Sequence, residues 1–167
     1  MVRIAKLPQN RWETLKGLRL EALRNDPAAF GSSFEEEKRL PVKVWRERMG
    51  NALFALSNDN PVGMLSYVFS PRAKTRHIVN IYGVYVMPRY RGLGIGEALL
   101  TKALSEIRKD RRIIKVQLSV NARLRPAVGL YKKAGFEEVG RARNELKVGA
   151  RYYDMMLLEK EIRRVRR

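Results

Sequence analysis

Val84–Leu100, VYVMPRYRGLGIGEALL, changes character twice within one short stretch. The apolar run Val84–Met87 first reads as the end of a strand, and Pro88 ends it. Gly92, Gly94 and Gly96 follow on alternate positions. Ile95, Leu99, Leu100, Ala103, Leu104 and Ile107 then recur at three- and four-residue spacing, which predicts a helix to about Lys109. A glycine turn between strand and helix leaves free backbone N–H groups at the positive end of the helix dipole. Without Cβ atoms a phosphate can approach that backbone closely, and Arg89 and Arg91 add positive charge. The same glycines would also suit a turn that only packs strand against helix.

Spacing narrows the ligand. A nucleotide P-loop needs Lys and Ser or Thr after its last glycine, and neither follows Gly96. The dinucleotide pattern G-x-G-x-x-G fails in both registers, ending on Glu97 or on Leu99. A diphosphate cradle of another kind is left.

Composition limits the chemistry. The 167 residues suit one domain, 1–160, followed by a basic tail, 161–167. With no cysteine and a single histidine, His77, thiolate catalysis and multi-histidine metal sites are excluded, and no G-x-S-x-G elbow is present. His77 reads as a residue at a strand start. Lys and Arg number 35 against 17 Asp and Glu, a net charge of +18, which favours an anionic partner or a well-solvated basic surface. With no long apolar run and no signal-peptide pattern, a soluble cytoplasmic protein without a membrane partner is expected.

The remaining periodicity predicts a mixed α/β fold with helices on both faces of a sheet. VRIAKL is a first strand, and Pro8–Asn25 a helix stopped by Asp26-Pro27. SSFEEEKRL and PVKVWRERM are two further helices. ALFALSN and VGMLSYVFS form a hairpin about Asp59-Asn60-Pro61, and His77–Met87 a long strand. IIKVQLSV is a buried strand, RPAVGLYKKAG a helix closed by Gly135, and FEEVGRARNEL and RYYDMMLLEKEI a closing pair of strands.

RYRGLG followed by GIGEALL resembles the R/Q-x-x-G-x-G/A motif of the GNAT superfamily of acyl-CoA N-acyltransferases. LSVNARLRPAVGLYKKAGFEEVG, Leu118–Gly140, resembles that family's strand with an Asn, its short A-x-x-L-Y helix and its G-F, and LRLEALRNDPAAFGSSFEEE resembles the N-terminal part of many members. The resemblance implies a mostly antiparallel sheet of about 6–7 strands flanked by about 4–5 helices, with direct acetyl transfer from acetyl-CoA to a primary amine of a small molecule or protein, and no metal.

It also implies roles. The backbone of Arg91, Gly92, Leu93, Gly94, Ile95 and Gly96 would hold the coenzyme A diphosphate, and Val84, Tyr85 and Val86 would pair with the pantetheine arm. Asn121 would contact that arm too, although Leu124 stands where many relatives carry a second Asn. Arg123 or Arg125 could meet the 3′-phosphate. Tyr131 falls on the tyrosine that protonates the leaving thiolate. Asn80 holds the place of a glutamate base, so a water-relayed path near Asn80 and Tyr82 is expected, with Glu35, Glu36 and Glu37 as an alternative base group. Phe30, Glu35 and Tyr153 are candidates for the acceptor side. Dimers are common in the family, so a homodimer is one implied assembly. Two other readings stay open: a basic nucleic-acid- or ribosome-binding protein, although no RNA- or DNA-reading motif is present, and a coenzyme A sensor.

Overall fold

The computed structural model describes residues 2–163. In chain order it contains β1 (Val2–Ala5), α1 (Trp12–Asn25), α2 (Phe34–Glu37), α3 (Val42–Met49), β2 (Ala52–Ser57), β3 (Asn60–Phe69) and β4 (Ile78–Val86). Then come α4 (Ile95–Arg108), β5 (Lys115–Asn121), α5 (Arg125–Lys133), β6 (Glu137–Val148) and β7 (Arg151–Glu161). The seven strands form one sheet in the order β1-β2-β3-β4-β5-β7-β6. All pairings are antiparallel except β4 with β5. No helix among the described residues is long and apolar enough to cross a membrane.

The strand period of two builds two cores. In β2, Leu53 and Ala55 face α4, whereas Ala52, Phe54 and Leu56 face α1 and α3. The predicted stripe of α4 is buried throughout. Leu15, Leu18, Ala22 and Leu23 of α1 pack on Trp45 and Met49 of α3 across the opposite face.

Several local signals work as the residues suggest. Ser33 accepts a hydrogen bond from the Glu36 backbone N–H while Glu36 reaches back to Ser33, a complete capping box. That helix makes one turn only, shorter than SSFEEEKRL suggested. Gly135 takes φ +85° after α5, and the Phe136 N–H donates to the Tyr131 carbonyl at 3.0 Å. The hairpin turn sits at Asn58-Asp59, both at positive φ, one step earlier than the proline indicated, because a two-residue hairpin loop matches strand twist in that conformation.

At the other end the chain stays ordered beyond the expected domain edge. Glu161 belongs to β7, the Ile162 N–H donates to the Ile114 carbonyl, and the Arg163 guanidinium donates to carbonyls of Arg108, Asp110 and Ile113. Residues 164–167 of the expected tail lie outside the described residues.

The decisive irregularity is in β4. Tyr85 pairs with Met64 and Tyr82 with Ser66, so Gly83 and Val84 together oppose Leu65 alone. Gly83 takes φ +60° in this bulge. The extra residue reverses the alternation: Val79 and Ile81 face the α4 core, whereas Tyr85 faces the α1 core. The β4–β5 pairing runs only from Ile78↔Lys115 to Asn80↔Gln117. Beyond it the two strands part, and their ends carry different partners.

An L-residue at Gly83 must hold the left-handed conformation, although its Cβ would have room, with Arg19 Nη1 at 3.7 Å as the nearest contact. Gly83→Ala should therefore lower the unfolding free energy by about 1 kcal/mol, read as an earlier midpoint in urea titration. An unchanged midpoint would show that the bulge relaxes freely.

Candidate active site

Two clefts meet at the bulge. The first, about 480 Å³, is lined by Val84, Tyr85 and Val86, by the glycine turn from Tyr90 to Glu97 except Leu93, by α5 residues including Ala127 and Leu130, and by Phe30. The second, about 500 Å³, is lined by Leu15, Arg19, Ser32, Glu37, Val44, Trp45, Glu47, Arg48, Met64, Val68, Tyr82 and Gly83. Gly83 belongs to one and Val84 to the other, so consecutive β4 residues face different clefts.

The glycine turn is built as an open cradle. Gly92 and Gly94 have φ of +76° and +75°, and a Cβ on either would meet nothing within 4 Å. Close packing therefore does not explain them. Gly96 differs: its Cβ would lie 3.3 Å from Leu130, so it lets α4 approach α5. Gly94 caps α4 without any side-chain hydrogen bond, and the first intrahelical bond runs from Ala98 N–H to the Gly94 carbonyl. The amides before it are the unpaired donors of the first turn. Leu93 is exposed, and Ile95 turns into the core.

Arg91 contributes differently from expectation. Its Nε donates to the Val86 carbonyl at 2.9 Å, and its guanidinium pairs with Asp26 and lies over the Tyr85 ring. The side chain braces the turn against the end of α1. Tyr85 lies in the same brace. Its hydroxyl donates to Glu21 and accepts from Asn25, both at 2.9 Å. Burial, with the Glu21 carboxylate, pushes its pKa up to about 12.

Asn121 is buried with both ends of its amide engaged. Its Nδ2 donates to the Ala28 carbonyl and its Oδ1 accepts from the Arg123 N–H, each at 2.9 Å. The side chain thus fastens the 27–29 segment to the end of β5. Tyr131 is buried edge-on against Phe136, with ring centroids 6.0 Å apart. Burial alone raises its pKa well above the usual tyrosine range, which keeps the phenol protonated. Trp45 Nε1 is the wholly buried side-chain polar atom without a partner among the described residues. Tyr131 itself lines neither cleft, whereas its neighbours Ala127 and Leu130 line the first.

Asn80 and Tyr82 share a face, because both precede the bulge. Asn80 Oδ1 accepts from Gln117 Nε2 at 2.8 Å, and Tyr82 is exposed on the wall of the second cleft. Of the residues expected on the acceptor side, Phe30 lines the first cleft instead. Glu35 is exposed, pairs with Lys38 and lines neither cleft. Tyr153 lies under the Arg123 guanidinium at 5.4 Å and is also off both linings. Of Glu35, Glu36 and Glu37, the one that enters the second cleft is Glu37, because successive residues of a helical turn point about 100° apart.

Glu37 is the buried centre of a charged cluster. It accepts from Arg19 Nε at 3.1 Å, Arg19 Nη2 at 2.8 Å and Arg48 Nη1 at 2.9 Å. Burial pushes its pKa up, but the two guanidiniums prevail and the net shift is downward from the ordinary 4.5. Arg19 also lies over the Phe30 ring at 4.7 Å, so one side chain forms part of the wall between the clefts. The sequence offered one faint sign of this cluster: Arg19 sits beside Leu15, Leu18 and Ala22, where an amphipathic helix would carry apolar residues.

Residues 18–136 match the model of the acetyltransferase (GNAT) family, and the chain belongs to that family. Two archaeal proteins are similar to it over shorter stretches. An uncharacterized N-acetyltransferase of Methanocaldococcus jannaschii is 36% identical over 48% of this chain and 36% of its own length. An N-alpha-acetyltransferase of Sulfurisphaera tokodaii is 41% identical over 40% of this chain and 38% of its own. The chain thus spans little more than a third of those relatives. A protein from Salmonella typhimurium, solved with its cofactor acetyl-CoA, shares the fold at a TM-score of 0.84 and 16% identity, over 100% of this chain and 97% of that one.

Removing the Glu37 carboxylate would leave two guanidiniums facing each other. Glu37→Gln should lower stability at pH 7 by about 3 kcal/mol, measured by urea unfolding. Because the folded pKa is depressed, the carboxylate's contribution is complete above about pH 4.5 and is lost as pH falls through the folded value. The variant should lose that part of the acid sensitivity, and an unaltered acid limb would remove Glu37 as its source.

Proposed function

We propose that this protein is an acetyl-CoA-dependent N-acetyltransferase that moves the acetyl group directly to a primary amine, with the first cleft for the donor and the second for the acceptor. The observation that carries this reading is the open glycine cradle beside a strand that has parted from its neighbour. Gly92 and Gly94 hold left-handed backbone with empty space above them, at an uncapped helix N-terminus. That arrangement fits a diphosphate. The β4 edge past Asn80 fits an extended arm seeking backbone hydrogen bonds.

When bound, acetyl-CoA supplies an activated thioester. The chain's residues do the rest. The Arg91 N–H is taken by the Pro88 carbonyl, so the amides from Gly92 to Gly96 hold the diphosphate, while Val84 to Val86 align the arm along the β4 edge. An N–C bond forms as the C–S bond breaks; the amine gives up a proton and the thiolate takes one. Tyr131 is the donor to the thiolate, its phenol kept protonated by burial. Tyr82, on the acceptor wall, and Asn80, held by Gln117, orient the water that receives the amine proton. The Salmonella relative of the same fold binds acetyl-CoA, which supports the donor assignment.

Gly94→Val places a β-branched residue at φ +75° and should raise the acetyl-CoA Kd at least ~10-fold, about 1.4 kcal/mol, by calorimetry. Intact affinity would sink the cradle. Tyr131→Phe keeps the packing on Phe136 and should cut kcat by roughly 100-fold with acetyl-CoA Kd unchanged. An unchanged kcat would take Tyr131 out of the mechanism. Binding of acetyl-CoA with no transfer to any amine of a broad panel would indicate a sensor.

A further inference from the structure

The second cleft carries more than apolar walls. Glu37 engages Nε and Nη2 of Arg19 but not Nη1, and it engages only Nη1 of Arg48. Two arginines share the one buried carboxylate, so the Arg19–Glu37–Arg48 cluster itself carries one positive charge in excess. Arg19 is nearly buried, so its orientation is fixed, whereas the Arg48 side chain is 41% exposed and can reach a ligand. Arg19 Nη1 lies 3.7 Å from the Cβ position of Gly83, beside the bulge where the clefts meet. Val44, Trp45, Met64 and Val68 provide apolar wall, and Glu47 adds an exposed carboxylate to the lining.

Resting on the N-acetyltransferase reading, we infer that the acceptor is a free α-amino acid with an apolar side chain, its carboxylate held by Arg48 and Arg19 Nη1. In an α-amino acid the nitrogen lies only about 2.5 Å from the carboxyl carbon. A carboxylate held beside Gly83 therefore places the amine at the bulge, next to the donor cleft. The guanidinium fork suits a carboxylate in two-point geometry, and Glu47 suits the ammonium of the entering zwitterion. A protein N-terminus or an amide presents a neutral carbonyl there, which cannot make the charge-assisted two-point contact that a carboxylate makes with a guanidinium.

The test compares an apolar L-amino acid, its amide, its methyl ester and a dipeptide as acceptors for the full-length protein, with release of free thiol as the readout. Acetyl-CoA binding is measured in parallel by calorimetry. The free acid should exceed each neutral analogue at least ~10-fold in kcat/KM. Arg48→Gln should erase that ratio by raising the amino-acid KM while acetyl-CoA affinity stays unchanged, and Arg48→Lys should retain part of it. If the cluster is only a structural clamp, Arg48→Gln will lower the thermal midpoint and leave the acid-to-amide ratio intact, which overturns the proposal. Equal or greater turnover of amide or dipeptide, or no transfer to any carboxylate-bearing amine despite acetyl-CoA binding, also overturns it. Absence of acetyl-CoA binding would instead overturn the donor reading and this proposal with it.

Discussion

One extra residue in β4 organises the molecule. The bulge at Gly83 and Val84 lets β4 stay paired with β3 while it leaves β5 after Asn80. A regular strand would have kept Tyr85 on the same face as Ile81 and continued the sheet. The bulge instead sends Tyr85 to the α1 side, opens an edge above the glycine turn and puts the two clefts on consecutive residues. Cleft formation is thus a property of the backbone, for which a glycine at φ +60° is the natural residue.

An opened sheet needs bracing, and the polar residues provide it. Arg91 ties the glycine turn to Asp26, Tyr85 bonds to Asn25 and Glu21, and Asn121 bonds to Ala28. Each contact links the β4 or β5 end to α1 or the segment just after it. Glu37 then joins α2 to α1 and α3 through Arg19 and Arg48. Arg91 and Asn121, which a motif reading assigns to ligands, are here occupied in bracing the glycine turn and the end of β5. Amides preorganised by such braces need no rearrangement when charge arrives.

Much of the fold was readable locally. The stripe of α4, the Ser33 cap and Gly135 are governed by neighbours within a few residues and emerged as read, and the hairpin did so with its turn one residue earlier. So did the shared face of Asn80 and Tyr82, because both lie on the regular side of the bulge. What local reading did not reach was whatever depended on rotation or long-range partners. Glu35, Glu36 and Glu37 are alike in sequence, yet a single helical turn gives them three directions, and only Glu37 enters a cleft. Phe30 and Tyr153 followed the packing of distant elements.

The sequence by itself determined the mixed α/β order, the strand–turn–helix cradle and the basic character, because periodicity, glycine conformation and charge are local properties. Tertiary structure decided that β4 and β5 part, that Arg91 and Asn121 act as braces, and that Arg19, Glu37 and Arg48 converge on the second cleft. Those outcomes join residues from 11 to 93 positions apart. No local pattern specifies them: they follow from the sheet's register and from the requirement that buried charge find its partner.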